Sequence, residues 1–179
     1  MSVRGVILAA GKSQRMGAIK QLLPFRGKPL VQHVIDAARG SQLAHLLLVL
    51  GHAHTDILQR IDISGLQIVV NNLFDTGQAT SVVSGLNNGP NTEGVMFLLG
   101  DQPLVHTAFI NLLITQFLVA HPLAVMPVHQ NRPGNPVILG RELTQEALTL
   151  TGDTGARQLL RQHAQHVLHV EVDDPLLFH

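Results

Sequence analysis

The chain contains no cysteine. That excludes disulfides, thiolate metal sites and a cysteine nucleophile. Charge is scarce too: Asp, Glu, Lys and Arg make up 13% of the 179 residues, and the formal net charge is zero. This balance argues against a general nucleic-acid or acidic-membrane surface, so any anion site must be local. No apolar run approaches the ~20 residues that a membrane span needs. No charged leader followed by an apolar stretch and a cleavage site opens the sequence. The expectation is a soluble cytoplasmic protein with no nucleic-acid or membrane partner.

Apolar residues, by contrast, are plentiful at 45%. A chain of this length suggests one domain over 1–179, since domains usually run to ~100–200 residues. Apolar runs recur at wide spacing: "GVILAA" (5–10), "HLLLVLG" (45–51), "QIVVN" (67–71), "GVMFLLG" (94–100), "LAVMPV" (123–128) and "HVLHVEV" (166–172). They are continuous rather than alternating, which suits strands covered on both faces. Helix-like stretches fall between them at 29–40, 54–61, 78–87 and 106–120. Pro29 suits a first helical turn and Gly40 a helix end. Alternation of strand and helix predicts an α/β fold: three layers around a mostly parallel, Rossmann-like sheet with right-handed crossovers. The alternation breaks at 129–157, where "HQNRPGNP" and "TGDTGAR" predict a loop-rich segment covering the substrate over the strand ends.

The first strand runs into "LAAGKSQRMGAIKQLLP" (8–24), a glycine turn with Lys12, Arg15 and Lys20 and no acid. In open α/β sheets, ligands bind at the carboxyl ends of strands. Ala9, Ala10 and Gly11 let backbone approach a ligand closely, and Gly11 can take positive φ. Successive N–H groups can then cradle an anion. Arg15 offers a fork for phosphate oxygens and Lys20 a point charge; Lys12 is placed on the outer side of the loop. The P-loop pattern fails, because five residues rather than four separate Gly5 from Gly11 and those five are the strand itself. The dinucleotide fingerprint fails as well, since "GKSQRMG" lacks its first glycine pair. A second chemistry-bearing residue, Asp101, follows the strand in "GVMFLLGDQP". It faces the same rim and suits Mg²⁺, which takes one or two carboxylates together with phosphates and waters.

These residues resemble a known family. "LAAGKSQRMGAIKQLLPFRGKPL" is similar to the signature of nucleotidyltransferases with the nucleotide-diphosphosugar transferase, MobA-like NTP transferase fold. More narrowly it resembles the molybdenum cofactor nucleotidyltransferases of the molybdopterin cytidylyltransferase type. The likeness continues, in order, at "GQATSVVSGL" (77–86), "LLGDQPLV" (98–105), "RPGNPVIL" (132–139) and "GDTGARQLL" (152–160).

The resemblance implies that the loop holds the triphosphate of an NTP. Arg15, Lys20 and Asp101 are then catalytic. Leu8, Ala9, Ala10, Gly11, Gln78, Ser81 and Gly100 meet the nucleotide. Asp101 and Asp173 hold Mg²⁺, although in "VEVDDP" Asp174 replaces the family's threonine. Gly134, Asn135, Asp153 and Arg157 meet the acceptor, molybdopterin; Asn135 stands where the family has a histidine. Thr154 could cap the helix that carries Arg157, and capping of the helix that starts near Gln78 is the alternative role for Thr80 or Ser81. Leu8-Ala9-Ala10-Gly11 is like the cytidylyl type, whereas guanylyl relatives carry L-A-G-G, so CTP is the expected nucleotide. The alternatives are a guanylyltransferase, a sugar- or polyol-phosphate nucleotidyltransferase, and a non-catalytic accessory protein that hands cofactor to a molybdenum hydroxylase. Eleven histidines, among them His52, His54, His163, His166 and His169, are read as exposed helix and turn residues rather than metal ligands.

Overall fold

The computed structural model describes residues 1–12 and 17–178. The chain runs through β1 (Val3–Ala9), a hairpin of β2 (Pro24–Phe25) and β3 (Lys28–Pro29), α1 (Leu30–Arg39), β4 (Leu46–Leu50), α2 (His54–Leu58) and β5 (Gln67–Val70). It continues through α3 (Gln78–Asn87), β6 (Gly94–Leu99), α4 (Thr107–Ala120), β7 (Ala124–His129), β8 (Arg132–Pro133) and β9 (Val137–Gly140). Last come α5 (Arg141–Ala147), α6 (Arg157–Gln162) and β10 (Val167–Glu171). Among the described residues no helix is long and apolar enough to cross a membrane.

The main sheet is ordered β10-β7-β9-β6-β1-β4-β5, with β8 beside β7. β1 pairs in parallel with β4 and β6, β4 with β5, and β7 with β10. β9 is antiparallel to both of its neighbours, β6 and β7. The expected three-layer, mostly parallel sheet is therefore present. Side chains alternate along each strand, so the sheet feeds two cores. Val3, Ile7, Met96 and Leu98 pack with α1 and α4 through Val34, Ile35, Ile110 and Leu113. Val6, Val95 and Phe97 pack on the other face against α3, α5 and α6 through Val82, Leu143 and Leu160. Each such side chain, fully buried, contributes roughly 1.5–3 kcal/mol relative to exposure.

The loop-rich expectation for 129–157 holds only for the flanks of that segment and is corrected at its centre. Val137–Gly140 is a strand inside the sheet and Arg141–Ala147 a helix on its face. A four-residue apolar strand ("VILG") carries no periodicity to betray it, and Pro136 just before it suggested a turn.

The strand order reverses at β1. The chain builds outward from β1 through β4 to β5, then crosses back to place β6 on the other side of β1. Such a switch point opens a crevice at the carboxyl ends of the two strands, and in this fold the crevice lies between Gly11 and Asp101.

Candidate active site

A cleft of about 560 Å³ opens at this switch point, lined by Leu8, Ala10, Gly11, Lys12, Gln21, Phe74, Asp75, Gly77, Gln78, Ser81, Leu99, Asp101 and Asp153. β1 and β6 are held in close register at its floor, where Gly100 N–H donates to Leu8 O at 2.9 Å. Gly100 is small by need: a Cβ there would come within 3.0 Å of the Ala9 Cβ and 3.1 Å of Leu8 O. Gly100 thus sets the two strand ends side by side, and Asp101 projects from the turn that follows.

Asp101 Oδ2 accepts a hydrogen bond from Lys20 Nζ at 2.7 Å. Lys20 opens a short 3₁₀ turn, Lys20–Leu22, whose next residue is Gln21. Gln21 is buried, and its Nε2 lies 3.2 Å from Ala9 O and 3.3 Å from Gly11 O. One side chain thus ties the glycine turn to the segment that carries Lys20. Gly11 does not use the positive φ open to it; Gln21 Nε2 donates to its carbonyl instead. Arg15 lies outside the described residues. Lys12, expected on the outer side of the loop, lines the cleft, ion-pairs with Asp75 and stands 5.3 Å above the Phe74 ring. Lys12, Gln21 and Asp75 are therefore site residues that the sequence pattern did not assign. A polar Gln between Lys20 and an apolar pair was the available signal for Gln21.

The wall opposite β1 is the start of α3. Its N-terminal flank is Gly77, at φ +122, where a Cβ would fall 2.4 Å from Gly152 O. Ala79 N–H donates to that same Gly152 carbonyl at 3.1 Å. The 152–153 segment is thereby docked on α3, which brings Asp153 into the cleft. Ser81 is buried and accepts a hydrogen bond from Asn71 Nδ2 at 3.0 Å, while Thr80 Oγ1 lies 2.9 Å from Gly77 O. Neither caps α3 through its side chain, so the alternative role as a helix cap does not apply. Gln78, the first residue of α3, lines the cleft.

Leu8, Gln78 and Leu99 also line a second cavity of about 220 Å³. Its inner surface is Val82, Phe97, Met126, Val137 and Leu160, and Gly134, Asn135, Arg157 and Arg161 stand around it. Three of the four expected acceptor residues, Gly134, Asn135 and Arg157, meet here; Asp153 sits in the neighbouring cleft. Thr154 does not cap α6, whose cap residue is Ala156; its carbonyl instead accepts from Arg157 N–H at 3.2 Å. Asp173 is exposed just past β10, on the same rim of the sheet, and lines neither cavity. Among the described residues no group of three His, Asp or Glu side chains could hold a metal.

The MobA-like NTP transferase domain matches residues 5–167. The chain belongs to that family. Its relatives include nicotine blue oxidoreductase of Paenarthrobacter nicotinovorans, 29% identical over 89% of this chain and 82% of that one. A probable molybdenum cofactor guanylyltransferase of Pyrococcus horikoshii is 29% identical over 73% and 65%. Among solved structures, Rv0371c of Mycobacterium tuberculosis H37Rv superposes with a TM-score of 0.86 at 30% identity, covering 97% of this chain and 89% of that one. The manganese complex of the same protein superposes at 0.79. CMP:2-keto-3-deoxy-manno-octonic acid synthetase, solved with CTP, shares the fold at 16% identity and a TM-score of 0.78, covering 97% and 91%. The nucleotidyltransferase assignment and the α/β fold of the nucleotide-diphosphosugar transferase type therefore stand.

Proposed function

We propose that this protein transfers CMP from CTP to molybdopterin, releasing pyrophosphate, in the assembly of a molybdenum cofactor. The observation that carries the proposal is the meeting of a charged cleft and an apolar, arginine-rimmed cavity at Leu8, Gln78 and Leu99. One holds a triphosphate; the other holds the body of an acceptor whose phosphate reaches the junction.

The reaction is an in-line displacement. An oxygen of the acceptor's phosphate forms a bond to the α-phosphorus, and the bond from that phosphorus to the bridging oxygen of the β-phosphate breaks. The electron pair leaves with pyrophosphate. A phosphate monoester is already ionised near neutral pH, so no protein nucleophile or general base is required. Catalysis reduces to positioning and charge stabilisation. Lys20 steadies the α-phosphate as charge shifts during attack. Arg15 takes the β- and γ-phosphates, and Lys12 supplies a further charge in the same cleft. Ala10, through its methyl group, narrows the space beside the base, and Gln78 and Ser81 line the nucleotide side. Asn135, Gly134 and Arg157 hold the acceptor, and Asp153 lies between the two sites.

The donor set fits a hard divalent ion that keeps substrate oxygens and waters as ligands. Asp101 would hold Mg²⁺, with Asp173 a second candidate carboxylate. Bound there, the ion would neutralise charge on the phosphates. The manganese complex of the related Rv0371c supports divalent-metal use.

A second reading is transfer of GMP, favoured by the similarity to the Pyrococcus guanylyltransferase. The test is incubation of purified protein with molybdenum-loaded molybdopterin, Mg²⁺ and each NTP in turn, measuring pyrophosphate. CTP is expected to turn over fastest. Equal or faster turnover of GTP would favour the second reading, and no pyrophosphate with any NTP would contradict both.

A further inference from the structure

Gln21 is buried, and its amide group is committed to main chain. Both partners, Ala9 O and Gly11 O, are carbonyl oxygens, so the amide nitrogen must face them, with one N–H for each. The strands set the direction of those carbonyls. Leu8 C=O turns to β6, where it accepts from Gly100 N–H. Successive residues of a central strand turn their C=O groups to opposite neighbours, so Ala9 C=O turns to the β4 side. Gln21 stands on that side, sharing a pocket with His52, which follows the end of β4 by two residues. Ala10 C=O lies there too, 3.0 Å from where a Cβ on Gly51 would fall. The carbonyls of Ala9, Ala10 and Gly11 are thus all drawn away from β6.

In a trans peptide unit the N–H points opposite to the C=O. The N–H groups of Ala10, Gly11 and Lys12 therefore turn the other way, towards the rim that carries Asp101. All three residues line the cleft. No hydrogen bond among the described residues uses any of these three donors, although Ala10 is only 5% exposed. A buried N–H without a partner is rare in native structures. Three in succession make a concave nest that fits an anion with several oxygens. Such a nest lasts only while its peptide units are kept from turning over. A unit that turned would present its carbonyl to the cleft and repel the anion.

We propose that Gln21 is a positioning residue: its amide grips the carbonyls of the glycine turn from behind and so aims the N–H groups of Ala10, Gly11 and Lys12 at the β- and γ-phosphates of the nucleotide. This rests on the nucleotidyl-transfer reading above and deepens it. The site tells a triphosphate from a monophosphate through main chain, and one side chain that acts through the turn, not on the reacting atoms, sets that discrimination. A glutamine suits the task because its NH₂ group serves two carbonyls at once. A carboxylate of the same length offers no donor, and an apolar chain of the same length offers none either.

The test is equilibrium binding of CTP, CDP and CMP to the full chain by calorimetry, with Mg²⁺ and no acceptor. Wild type is compared with Gln21→Met, which keeps the length and the neutral charge but loses both donated bonds. Gln21→Glu is the second variant, and thermal unfolding checks that each is folded. Wild type is expected to bind CTP more tightly than CMP. Gln21→Met should shrink that preference by about tenfold or more, as the loss of hydrogen bonds to a charged phosphate does, while CMP binds within twofold of wild type. Gln21→Glu should shrink it at least as far. In turnover the KM for CTP should rise while the KM for the acceptor stays within twofold. A preference for CTP over CMP that survives in both variants would overturn the inference, even if all three nucleotides bound more weakly, because a packing role weakens them alike. That outcome leaves nucleotidyl transfer standing. Wild type that bound CTP no better than CMP would instead contradict the triphosphate cleft itself, and the inference would fall with it.

Discussion

The cleft behind Gly11 and the cavity beneath Asn135 share a wall yet treat charge in opposite ways. In the cleft the cations come with counterions: Lys20 with Asp101, and Lys12 with Asp75. In the cavity Arg157 and Arg161 stand around apolar walls with no acid among the lining residues. The difference says what each is ready to receive. Exposed pairs of this kind are worth only ~0–1 kcal/mol, so a ligand carrying both signs can exchange with them at little cost. The proposed metal-bound triphosphate would be such a ligand: its anions would take the lysines and its cation the carboxylate. The cavity, with two arginines and no acid among its lining residues, instead suits an anionic ligand.

The largest effect expected is at the carboxylate. Asp101→Ala should abolish metal-dependent turnover while thermal unfolding stays close to wild type. Activity within tenfold of wild type, a barrier change of about 1.4 kcal/mol, would reduce Asp101 to a turn residue and remove the cleft's claim to a cation.

Next comes the division of labour among the cleft cations. Lys20→Ala should lower kcat strongly, because its contact strengthens as charge shifts at the α-phosphate. Lys12→Ala should mainly raise the KM for the nucleotide, since a contact equal in ground and transition states acts on binding. Arg15→Ala should damage both parameters. Steady-state kinetics separate the three. Should Lys12→Ala lower kcat more than Lys20→Ala, the α-phosphate sits nearer Lys12 than Lys20 and the proposed placement of the triphosphate is wrong.

Gly77 probes the boundary between the two regions. Gly77→Ala puts a methyl group against the Gly152 carbonyl at a strained φ, for an expected loss of about 2–4 kcal/mol. Denaturant unfolding measures that loss. Because Gly152 and Asp153 dock through this contact, the KM values of nucleotide and acceptor should rise together. A rise in only one would show that the two regions are independent.

The smallest effect lies away from both. Asp36 on α1 holds Lys28 and Gln32. Burial pushes its carboxyl up, but hydrogen bonds from those two side chains, with the charges of Lys28 and Arg39, hold it below the ordinary carboxylate range. A depressed folded-state value means stability that is present above the unfolded value of about 3.9 and lost as pH falls through the folded one. Asp36→Asn should therefore be slightly less stable than wild type at pH 7, by at most about 1 kcal/mol for so exposed a group. The gap should narrow as pH is lowered below about 3.9 in urea unfolding.

Much of this was legible in the chain. Continuous apolar runs marked β1, β4, β5, β6, β7 and β10 to within two residues at either end; the central β1, β4 and β6 are buried on both faces and have no polar positions to blur them. The loop after β1 and Asp101 after β6 were placed on one rim by strand polarity alone. β9 was not legible, since four apolar residues after a proline read equally as loop. Gln21 was missed because its role is to bond the carbonyls of Ala9 and Gly11, a contact set by the fold and not by spacing. Lys12 was misplaced for a similar reason: its partner Asp75 is distant in sequence and joins it only when β4 and β5 pack beside β1.

The most direct test of nucleotidyl transfer follows the phosphorus atoms. Purified protein would be given Mg²⁺, molybdenum-loaded molybdopterin and CTP labelled with ³²P at either the α- or the γ-position. In-line transfer of CMP predicts that the α-label appears covalently on the pterin, that the γ-label appears in pyrophosphate, and that neither product forms without the acceptor. An α-label recovered only as free CMP, or a γ-label released as single phosphate, would contradict it.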